Sequence, residues 1–383
     1  WDERAGPLTQ SATIAAADKR SEDRPMTQST SVVSLITIGL DVGDKRTHFC
    51  ALDATRKVLA RGSFRTTRME LELAMKPYAG AKVVLEAGSQ SPWMSRALRN
   101  QGYEVQVADP RCVQLISKDP RKTDRRDAEM LARMAAAMPD LLGNVCHRGE
   151  QGHAHLAIIR ARDLIMRMRT MAVQQTRGIC KAFGVRLPKC STGAFPARVC
   201  ELIPPLLVPA LSPILELVVH LTQRIRQIDR DLAKVAKDHY PEVQHLQQVN
   251  GVGPVISTAF VLSVEDPKRF SSSRRVGSWL GLCPRVQSSG DSNPQLRISK
   301  AGDPRLRRLL VQGARHILGP LGSDCDLRRY GLKLASHGGK IAKKKAAVAV
   351  ARKLAVLLHR LWVTQAAYDP LRNAKRDEAI ATA

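Results

Sequence analysis

Short apolar segments that end in a carboxylate constrain the fold of this chain more than any other feature of its sequence. The segment Ser34–Val42 (SLITIGLDV) leads to Asp41, and the segment Lys82–Glu86 (KVVLE) ends in Glu86. Apolar runs of this length are typical of strands that are buried on both faces of a sheet. A third such run is Tyr103–Ala108. The sequence therefore predicts a buried sheet that presents acids where its strands end.

Two more strands and an acidic helix complete this region. Thr47–Asp53 and Lys57–Phe64 alternate between apolar and polar residues and predict two strands joined by a polar turn. Asp124–Ala136 predicts a helix on which Asp124 and Asp127 lie on one side, one turn apart. Three strands in series, followed by alternating helix and strand, is the order of the RNase H-like fold. The predicted fold class is therefore α/β for this N-terminal domain.

Four carboxylates that converge on one site indicate metal-dependent phosphodiester chemistry. The set comprises Asp41, Glu86, Asp124 and Asp127. Such groups cannot all stay ionised at close range unless cations offset their mutual repulsion. A pair of divalent cations removes that penalty and assists in-line cleavage of a phosphodiester bond, and hard oxygen ligands select Mg²⁺ or Mn²⁺ over zinc. The alternative is that each acid is an ordinary surface or helix-capping residue.

The charge balance indicates nucleic acid as the partner. The 383 residues include 61 Lys and Arg against 35 Asp and Glu, which gives a net charge of +26. A surplus of this size favours a polyanion, although a ribosomal-type binder or a merely soluble surface would share it. Three cations, Lys122, Arg125 and Arg126, flank the start of the acidic helix. They either steer a phosphate backbone or form a solvated helix start.

The remaining composition indicates a reducing cytoplasm. None of the eight cysteines forms a CxxC pair, which argues against a zinc ribbon or a redox motif. No apolar run reaches the roughly 18 residues expected of a membrane span. Residues 1–25 are polar, begin with Trp and lack an apolar signal core, so they predict a disordered extension with Met26 as a candidate start.

Two long segments in the middle of the chain predict a pair of helices. Gln151–Phe183 and Leu211–Lys237 carry apolar residues at three- and four-residue intervals. A loop with Pro and Cys residues joins them, so the helices can form an antiparallel hairpin or a coiled-coil arm that contacts another subunit. The alternative is a helix pair that packs on its own domain.

A glycine turn between apolar segments opens the C-terminal part. Leu246–Phe260 (LQQVNGVGPVISTAF) holds Gly251 and Gly253 between a short apolar approach and an apolar helix. This is the pattern of a helix-hairpin-helix element, in which N–H groups of the turn and of the next helix contact a phosphate. An ordinary turn between two helices would give the same pattern.

A serine-containing loop lies within Gly281–Ala314. Ser288 and Ser289 precede a glycine, and a serine hydroxyl becomes a nucleophile only beside a base, a metal or cations that stabilise its alkoxide. A flexible Ser-rich turn is the alternative. The stretch closes on a predicted basic helix, Asp303–Ala314, with a proline in its first turn. Its candidate phosphate-binding cations are Arg285, Arg297, Lys300, Arg305 and Arg308.

Several ordered motifs resemble those of a known family. They are IGLDVG, VVLEAG, KTDRRDAEMLARM, VNGVGP, LGLCPRVQSSG and ISKAGDPRLRRLLVQGARHIL. These motifs are similar to those of insertion-sequence transposases of the IS one-ten type. The resemblance covers roughly residues 34–365, nearly the whole chain.

The resemblance implies a recombinase with a RuvC-like DEDD domain and a second, transposase domain. The four acids of the family correspond to Asp41, Glu86, Asp124 and Asp127. The essential serine corresponds to Ser289, with Ser288 as a competing neighbour.

The resemblance also implies partners and an assembly. The family pattern is a Mg²⁺-dependent homotetramer, a dimer of dimers, whose serine attacks DNA while the acidic domain of a neighbouring subunit supplies the metals. A structured, element-encoded bridge RNA selects donor and target DNA. A bacterial, cytoplasmic location is expected, with nucleoid association when DNA is bound.

The patterns and the resemblance together predict five parts of the chain. They are a disordered extension at 1–33, a RuvC-like, RNase H-like domain at 34–150, a helical coiled-coil region at 151–240, a mostly helical transposase domain with the helix-hairpin-helix and the serine at 241–369, and a frayed tail at 370–383.

Three functions remain open from the sequence. The first is the DNA recombinase described above. The second is a RuvC-type junction-resolving nuclease, which uses water as the nucleophile and forms no covalent intermediate. The third is a non-enzymatic RNA-binding protein whose acids are structural.

Overall fold

The structure is a computed structural model of the whole chain. It describes residues 36–116, 123–287, 292, 294, 296–336 and 338–373. The chain divides into two compact units at the junction of His147 and Arg148. Several predicted features lie outside the described residues: the extension at 1–33, Lys122, Ser288, Ser289 and the tail from 374 onward.

The first unit is built on one five-stranded sheet. Its strands are β1 (Thr37–Val42), β2 (Arg46–Leu52), β3 (Val58–Arg65), β4 (Lys82–Glu86) and β5 (Glu104–Ala108). They lie in the order β3-β2-β1-β4-β5. The pairs β1–β2 and β2–β3 are antiparallel, whereas the pairs β1–β4 and β4–β5 are parallel. All five predicted strands are present, and the two acid-bearing strands, β1 and β4, are neighbours.

Helices cover both faces of this sheet. They are α1 (Arg68–Met75), α2 (Ser91–Asn100), α3 (Pro110–Ile116) and α4 (Asp124–Ala137). Apolar side chains of α1 and α2 pack with Ile38 and Leu40 of β1 on one face. On the other face, Val84 of β4 packs with Leu131 and Ala135 of α4. The central strands are therefore buried on both sides, which explains their continuous apolar runs.

Gly39 of β1 lies directly against the backbone of α4. A Cβ at this position would collide with the carbonyl oxygen of Ala128 and would lie 2.5 Å from the backbone nitrogen of Ala132. Only glycine lets the helix approach the strand this closely. This approach sets the distance between the first turn of α4 and the end of β1, where the predicted acids lie.

Substitution of Gly39 by alanine is expected to destabilise the protein by about 3 kcal/mol, because backbone atoms of α4 have to move away from the sheet. The loss is measured as a decrease in the free energy of unfolding in urea. Gly88→Ala is the matched control, since no heavy atom lies within 4 Å of a Cβ built there. Equal, small effects of the two substitutions would contradict the close packing.

The second unit is mainly helical over its described residues. Its helices are α5 (Glu150–Ala182), α6 (Phe195–Val199), α7 (Val208–His239), α8 (Glu242–Leu246), α9 (Pro254–Val264), α10 (Ser273–Trp279), α11 (Pro304–Leu318), α12 (Asp326–Ala335) and α13 (Gly339–Thr364). Helix α9 is buried from Ile256 to its end and packs against α5, α7, α8 and α11. A single apolar core joins α9, α11 and α13 with the adjoining ends of α5 and α7.

Helices α5 and α7 form an antiparallel hairpin, which is one of the arrangements that the sequence leaves open. Arg162 of α5 makes an ion pair with Asp229 of α7, and Arg169 donates a hydrogen bond to Thr222 at 3.2 Å. One end of the hairpin contributes to the core of the unit. The other end has its own apolar cluster, built around the fully buried Phe195 of the connecting segment.

One helix of the hairpin is long and apolar enough to cross a membrane, by length and composition alone. The stretch Pro205–His239 contains an 18-residue window of mean hydropathy 1.6. A helix packed in the core of a protein passes the same test. Leu215 and Val218 of this helix are buried in the apolar cluster that also contains Val173 of α5. About a third of this window is buried in the structure, so packing within the hairpin accounts for only part of its apolar composition.

Arg148 fastens the beginning of the second unit to its most buried helix. Its guanidinium donates to the carbonyl oxygens of Leu262 at 2.6 Å and Ser263 at 3.0 Å, near the C-terminal end of α9. The N–H of Gly149 donates to the carboxylate of Glu265 at 2.8 Å. A cation is favourable here because the last carbonyls of a helix carry partial negative charge and lack partners within the helix.

Candidate active site

Two of the four predicted acids lie side by side at the end of the central strands. The parallel register pairs Gly39 with Val84 and Leu40 with Leu85, so Asp41 and Glu86 occupy the next position along β1 and β4. Side chains alternate between the faces of a sheet, so Asp41 shares the face of Gly39, which contacts α4. Both carboxylates therefore stand at the carboxyl edge of the sheet, on the side that α4 covers.

The other two acids lie on the first turn of α4. Asp124 and Asp127 follow Thr123, the extended residue that precedes the helix. The carbonyl oxygen of Thr123 accepts from the N–H of Asp127 at 3.0 Å, which begins the helical turn. The N-terminus of a helix carries partial positive charge, so it stabilises carboxylates at these positions. The close contact at Gly39 then brings this turn to the strand ends.

The other three acids act electrostatically on Asp41. The pKa of Asp41 rises from its ordinary value of 3.8 to about 6. Burial is the largest cause, followed by the negative charges of Asp124 and Asp127, with a smaller contribution from Glu86. His48 acts in the opposite direction. The structure therefore places all four predicted acids within one electrostatic environment that disfavours further negative charge.

His48 belongs to this site and has no counterpart in the sequence prediction. It lies directly opposite Asp41 in the antiparallel register of β1 and β2. Its Nε2 atom is 3.6 Å from a carboxylate oxygen of Asp124, and its Nδ1 atom is buried without a hydrogen-bond partner among the described residues. His48 could have been predicted only from the pairing register of β1 with β2. The order of the strands and helices along the chain does not give that register.

The donor set of the site fits a divalent cation. All four acids offer hard oxygen ligands, and the raised pKa of Asp41 reflects burial first and then nearby negative charge, which a cation would relieve. Within the described ranges, no group of three His, Cys, Asp or Glu side chains is already arranged to hold a metal ion. The fit therefore rests on the chemistry of the donors and on their shared edge of the sheet.

The stability of the metal-free protein is expected to contain a contribution from Asp41 that falls as the pH rises from about 4 to about 6. The pKa of Asp41 is higher in the folded state than in the unfolded state, so the folded state binds the proton more tightly across this interval. Stability is therefore greatest below the ordinary pKa of 3.8 and decreases until the pH passes about 6. The side chain is only half-buried, and solvent screening limits the effect to about 1–2 kcal/mol.

Asp41→Asn tests this pH dependence. The variant should be more stable than the wild type at about pH 7.5, and the difference should shrink as the pH approaches 4. Urea unfolding in the presence of a chelator, measured across this range, gives the difference directly. A difference between the two proteins that does not change with pH would contradict the raised pKa.

The predicted serine loop is paired at its base in the second unit. Pro284 and Ile298 form an isolated antiparallel bridge. The N–H of Arg285 donates to the carbonyl oxygen of Arg297 at 3.0 Å. The two arms of the loop are therefore held together as in a hairpin, and they flank residues 288–291, which lie outside the described part of the chain.

Two glycines and one arginine close the base of this loop. A Cβ on Gly281 would lie 2.6 Å from the carbonyl carbon of Lys300, and one on Gly302 would lie 2.7 Å from the Cα of Leu280. The guanidinium of Arg307 donates to the carbonyl oxygens of Leu280 at 2.8 Å and Gly302 at 3.0 Å. Arg307 is therefore a structural anchor of the loop, a role that the sequence alone does not indicate.

Most of the predicted phosphate-binding cations are exposed. Arg125 and Arg126 lie on the first turn of α4, beside the acids. Arg285 and Arg297 lie on the two arms of the serine loop. Lys300 is exposed near the base of this loop and has a left-handed backbone, with φ of 58°. The structure thus groups these cations around the acids in the first unit and around the loop in the second.

The cations of α11 differ from one another. The side chain of Asp303 caps this helix and accepts from the N–H of Arg305 at 2.7 Å. Arg308, one turn further along, makes an ion pair with Asp163 of α5. Arg308 therefore connects α11 to the hairpin, a contact that the sequence gives no means of predicting.

The two glycines of the predicted phosphate-binding turn also have different surroundings. Gly251 has φ of 82°, and a Cβ on it would lie 2.9 Å from the carbonyl oxygen of Gly313 in α11. Gly253 immediately precedes α9, is exposed and has open space around it. Only Gly253 therefore leaves its backbone open to an approaching phosphate, whereas Gly251 is required for packing.

Two protein-family models match the chain. A model for DEDD transposases of IS110, described as a transposase, matches residues 38–183. A second model, described as the transposase IS116/IS110/IS902 family, matches residues 243–321. The first match contains the four acids, and the second contains the glycine turn and the serine loop.

Curated relatives match along most of the chain. A transposase for insertion sequence element IS1328 of Yersinia enterocolitica is 30% identical over 286 residues, 73% of this chain and 82% of the relative. A probable family 20 transposase of Pseudomonas aeruginosa is 28% identical over 350 residues, 88% of this chain and 100% of the relative. A transposase for insertion sequence element IS1111A of Coxiella burnetii is 28% identical over 355 residues, 88% of this chain and 92% of the relative.

Proposed function

This chain belongs to the IS110 family of insertion-sequence transposases, and we propose that it cuts and rejoins DNA with Ser289 as the nucleophile and with a divalent metal site on its four acids. The observation that carries the proposal is the environment of Asp41. Its carboxyl group lies at the end of a central strand, within the field of Asp124, Asp127 and Glu86. An acidic cluster of this kind is costly in a protein that only binds nucleic acid, because it repels phosphate.

The topology supports an RNase H-like, RuvC-like assignment for the first unit. Three antiparallel strands in series are followed by two parallel strands, in the order β3-β2-β1-β4-β5. The acids lie at the carboxyl ends of β1 and β4 and on α4, the second helix after β5. The helix-hairpin-helix assignment in the second unit is supported by α8, the turn at Gly251–Gly253 and α9.

Asp41, Glu86, Asp124 and Asp127 would hold Mg²⁺ or Mn²⁺. When bound, such ions increase the reactivity of an attacking oxygen and stabilise the charge on a leaving oxygen. The contact of α4 with β1 at Gly39 keeps the two acids of the helix close to the two acids at the strand ends. Arg125 and Arg126 on the same helix turn draw the phosphate backbone toward the acids.

The proposed covalent step conserves the number of phosphodiester bonds. The Ser289 hydroxyl loses its proton as its Oγ atom forms a bond to phosphorus, and the bond from phosphorus to one sugar oxygen breaks. The released sugar oxygen takes up a proton. A sugar hydroxyl of the recipient strand then loses its proton and attacks the same phosphorus, the bond from phosphorus to the serine Oγ atom breaks, and the serine takes up a proton. The strand is thus rejoined without an external energy source. Arg285 and Arg297, on the arms of the loop, supply cations that favour the negative charge developing on the phosphate.

A suicide substrate tests this chemistry. A nicked DNA whose cleaved end diffuses away should leave the wild-type protein covalently attached to a labelled strand, which appears as a slower band on a denaturing gel. The Ser289→Ala variant should give no such band. Cleaved DNA without any adduct would contradict the serine mechanism and would favour the junction-resolving nuclease, which uses water.

A non-coding guide RNA is a further part of the proposal. The net charge of +26 exceeds what the acidic site requires and is spread along the chain, which supports binding of DNA together with a second polyanion. Recombination reconstituted with the RNA of the element should be lost after treatment with a single-strand-specific ribonuclease. Undiminished recombination after complete digestion would contradict guidance by RNA. Such a protein would act in the bacterial cytoplasm and associate with the nucleoid when bound to DNA.

The hairpin of α5 and α7 supports a homo-oligomer, a tetramer built as a dimer of dimers. Large apolar side chains are exposed on its outer part: Met171 is 68% exposed and Leu206 is 84% exposed. Apolar groups of this size on a charged protein favour a contact with another subunit. Each protomer would then contribute its hairpin to the contact.

Replacement of Met171 and Leu206 by glutamate should dissociate the oligomer, because burial of two charges in an apolar contact is unfavourable by several kcal/mol. Light scattering at defined concentrations measures the mass. Leu73→Glu on α1, where the side chain is 63% exposed outside the hairpin, is the matched control and should leave the mass unchanged. An unchanged mass for the hairpin variant would show that subunits associate through another surface.

A further inference from the structure

The second unit contains a cavity to which the proposed chemistry gives no role. It has a volume of about 1420 Å³ and is lined by α12, α13, both arms of the serine loop and the segment 366–373. This volume exceeds the roughly 300–1,000 Å³ that is typical of a small-molecule site. A segment of a polymer therefore suits the cavity better than a single small ligand.

One wall of the cavity is a continuous stripe of α13. Ile341, Val348 and Val356 lie on it at spacings of seven and eight residues, with cations such as Lys344 and Arg352 between them. The opposite stripe of the same helix is buried in the core of the unit. Ile341 is 71% exposed, so the apolar part of this wall is open to solvent at the start of the helix.

The charge of the lining is strongly positive. Nine of the lining residues are Lys or Arg, and two, Asp326 and Asp369, are acidic. Asp326 accepts a hydrogen bond from the N–H of Asn373 at 2.7 Å, and Asp369 accepts from the N–H of Leu371 at 3.1 Å. The acids are thus engaged with the backbone of the segment that borders the cavity. The lining favours a polyanion and disfavours a second copy of this chain, whose net charge is +26.

An aromatic ring of α12 and a cation of α13 meet at the edge of the cavity. The ammonium group of Lys353 lies 3.7 Å from the centroid of the Tyr330 ring, and both side chains line the cavity. A nucleobase can take the place of the cation on this ring, and the ammonium group can then move to the adjacent phosphate. Apolar walls, an aromatic face and mobile cations together fit bases that are not paired.

The position of the cavity indicates which strand would enter it. Pro284 and Ile298, the bridge at the base of the serine loop, are part of the lining, as is Arg297. We infer that the cavity binds unpaired nucleotides of the DNA strand next to the phosphodiester bond that the serine attacks. Paired bases are stacked inside a duplex and cannot reach an apolar wall, so the site requires local opening of the DNA. The inference rests on the proposed function for the identity of the strand, while the binding itself requires no covalent chemistry.

Equilibrium binding by the full-length protein tests the inference. The probes are a fluorescently labelled DNA single strand, its duplex and an RNA of the same sequence, each measured by fluorescence anisotropy at several salt concentrations. Tyr330→Leu keeps an apolar side chain but removes the ring, and it should weaken binding of the DNA single strand by about tenfold while duplex binding changes less than about twofold. Tyr330→Phe should retain wild-type binding.

A charge variant and its control complete the experiment. Lys353→Gln should reduce the slope of log affinity against log salt for the single strand by about 1. Lys333→Gln, an exposed residue of α12 that does not line the cavity, removes the same charge and should leave that slope nearly unchanged. Equal loss of single-strand and duplex binding in Tyr330→Leu, or no loss of either, would overturn the inference.

Two other results would also overturn it and would identify a different occupant. Selective loss of RNA binding in Tyr330→Leu would assign the cavity to RNA. A change of oligomeric mass in that variant, with nucleic-acid binding intact, would assign it to a contact between copies. The Ser289→Ala variant should keep wild-type binding of the single strand, so failure of the serine mechanism and failure of this inference can be told apart.

Discussion

Replacement of Ser289 by alanine is expected to abolish strand exchange, with a loss of about 10³-fold or more in rate. The hydroxyl would form the covalent bond to DNA in the proposed mechanism, and the methyl side chain of alanine has no nucleophilic atom. Recombination between donor and target DNA, followed by quantitative amplification of the junctions, gives the rate. DNA and RNA binding should be unchanged, since the arms of the loop are paired through Pro284 and Ile298 and through the backbones of Arg285 and Arg297.

Ser288→Ala is the matched control for this result. The two serines are adjacent and chemically identical, so the control preserves the composition of the loop while it leaves the proposed nucleophile in place. A recombination rate close to wild type is expected for Ser288→Ala. An inactive Ser288→Ala with an active Ser289→Ala would move the nucleophile by one residue, and wild-type rates for both would refute a serine nucleophile in this loop.

Asp124→Asn and Asp127→Asn should each reduce the recombination rate by about 10³-fold or more, because each removes a charged ligand from the proposed metal site. Bound metal ions stabilise the transition state of phosphoryl transfer by several kcal/mol. Metal binding, measured by calorimetry with Mn²⁺, should weaken in parallel. In Asp124→Asn the pKa of Asp41 should also fall, although burial, the largest cause of its increase, remains. This shift is measurable by NMR in the absence of metal and does not depend on activity.

Asp140→Asn is the matched control for the acids. Asp140 is an exposed acid of the same unit, in the turn after α4, and it is not among the charges that act on Asp41. Its replacement should leave activity, metal affinity and the pKa of Asp41 unchanged. Full activity of the wild-type protein after exhaustive chelation would refute the metal proposal itself.

The sequence predicts the strands and the acid positions of the first unit because both depend on local patterns. The apolar runs before Asp41 and Glu86 need two buried faces, and the spacing of Asp124 and Asp127 needs only a helix. Their convergence depends on a tertiary contact, the approach of α4 to Gly39, which no local pattern contains. The position of His48 opposite Asp41 likewise depends on the pairing register of β1 with β2. A shift of that register by one residue would place His48 on the other face of the sheet.

In the second unit, the hairpin and α11 follow from periodicity and capping residues, whereas the role of individual cations does not. Arg307 and Arg308 are neighbours in sequence, yet one holds the base of the serine loop and the other makes an ion pair with Asp163. Helical rotation sends the two side chains in different directions, and their partners come from remote parts of the chain. The cavity beside α13 escapes prediction for the same reason, since its walls come together only in three dimensions.

The hydrogen bonds of Arg148 bear on how this chain can be dissected for experiments. A fragment that begins at residue 151, where the sequence places its boundary, would lack this guanidinium, and the carbonyl groups of Leu262 and Ser263 would lose the donor that they share. A fragment that begins at Arg148 retains these hydrogen bonds. The three residues before the predicted boundary thus determine where the C-terminal unit can be separated while the carbonyl groups at the end of α9 keep their donor.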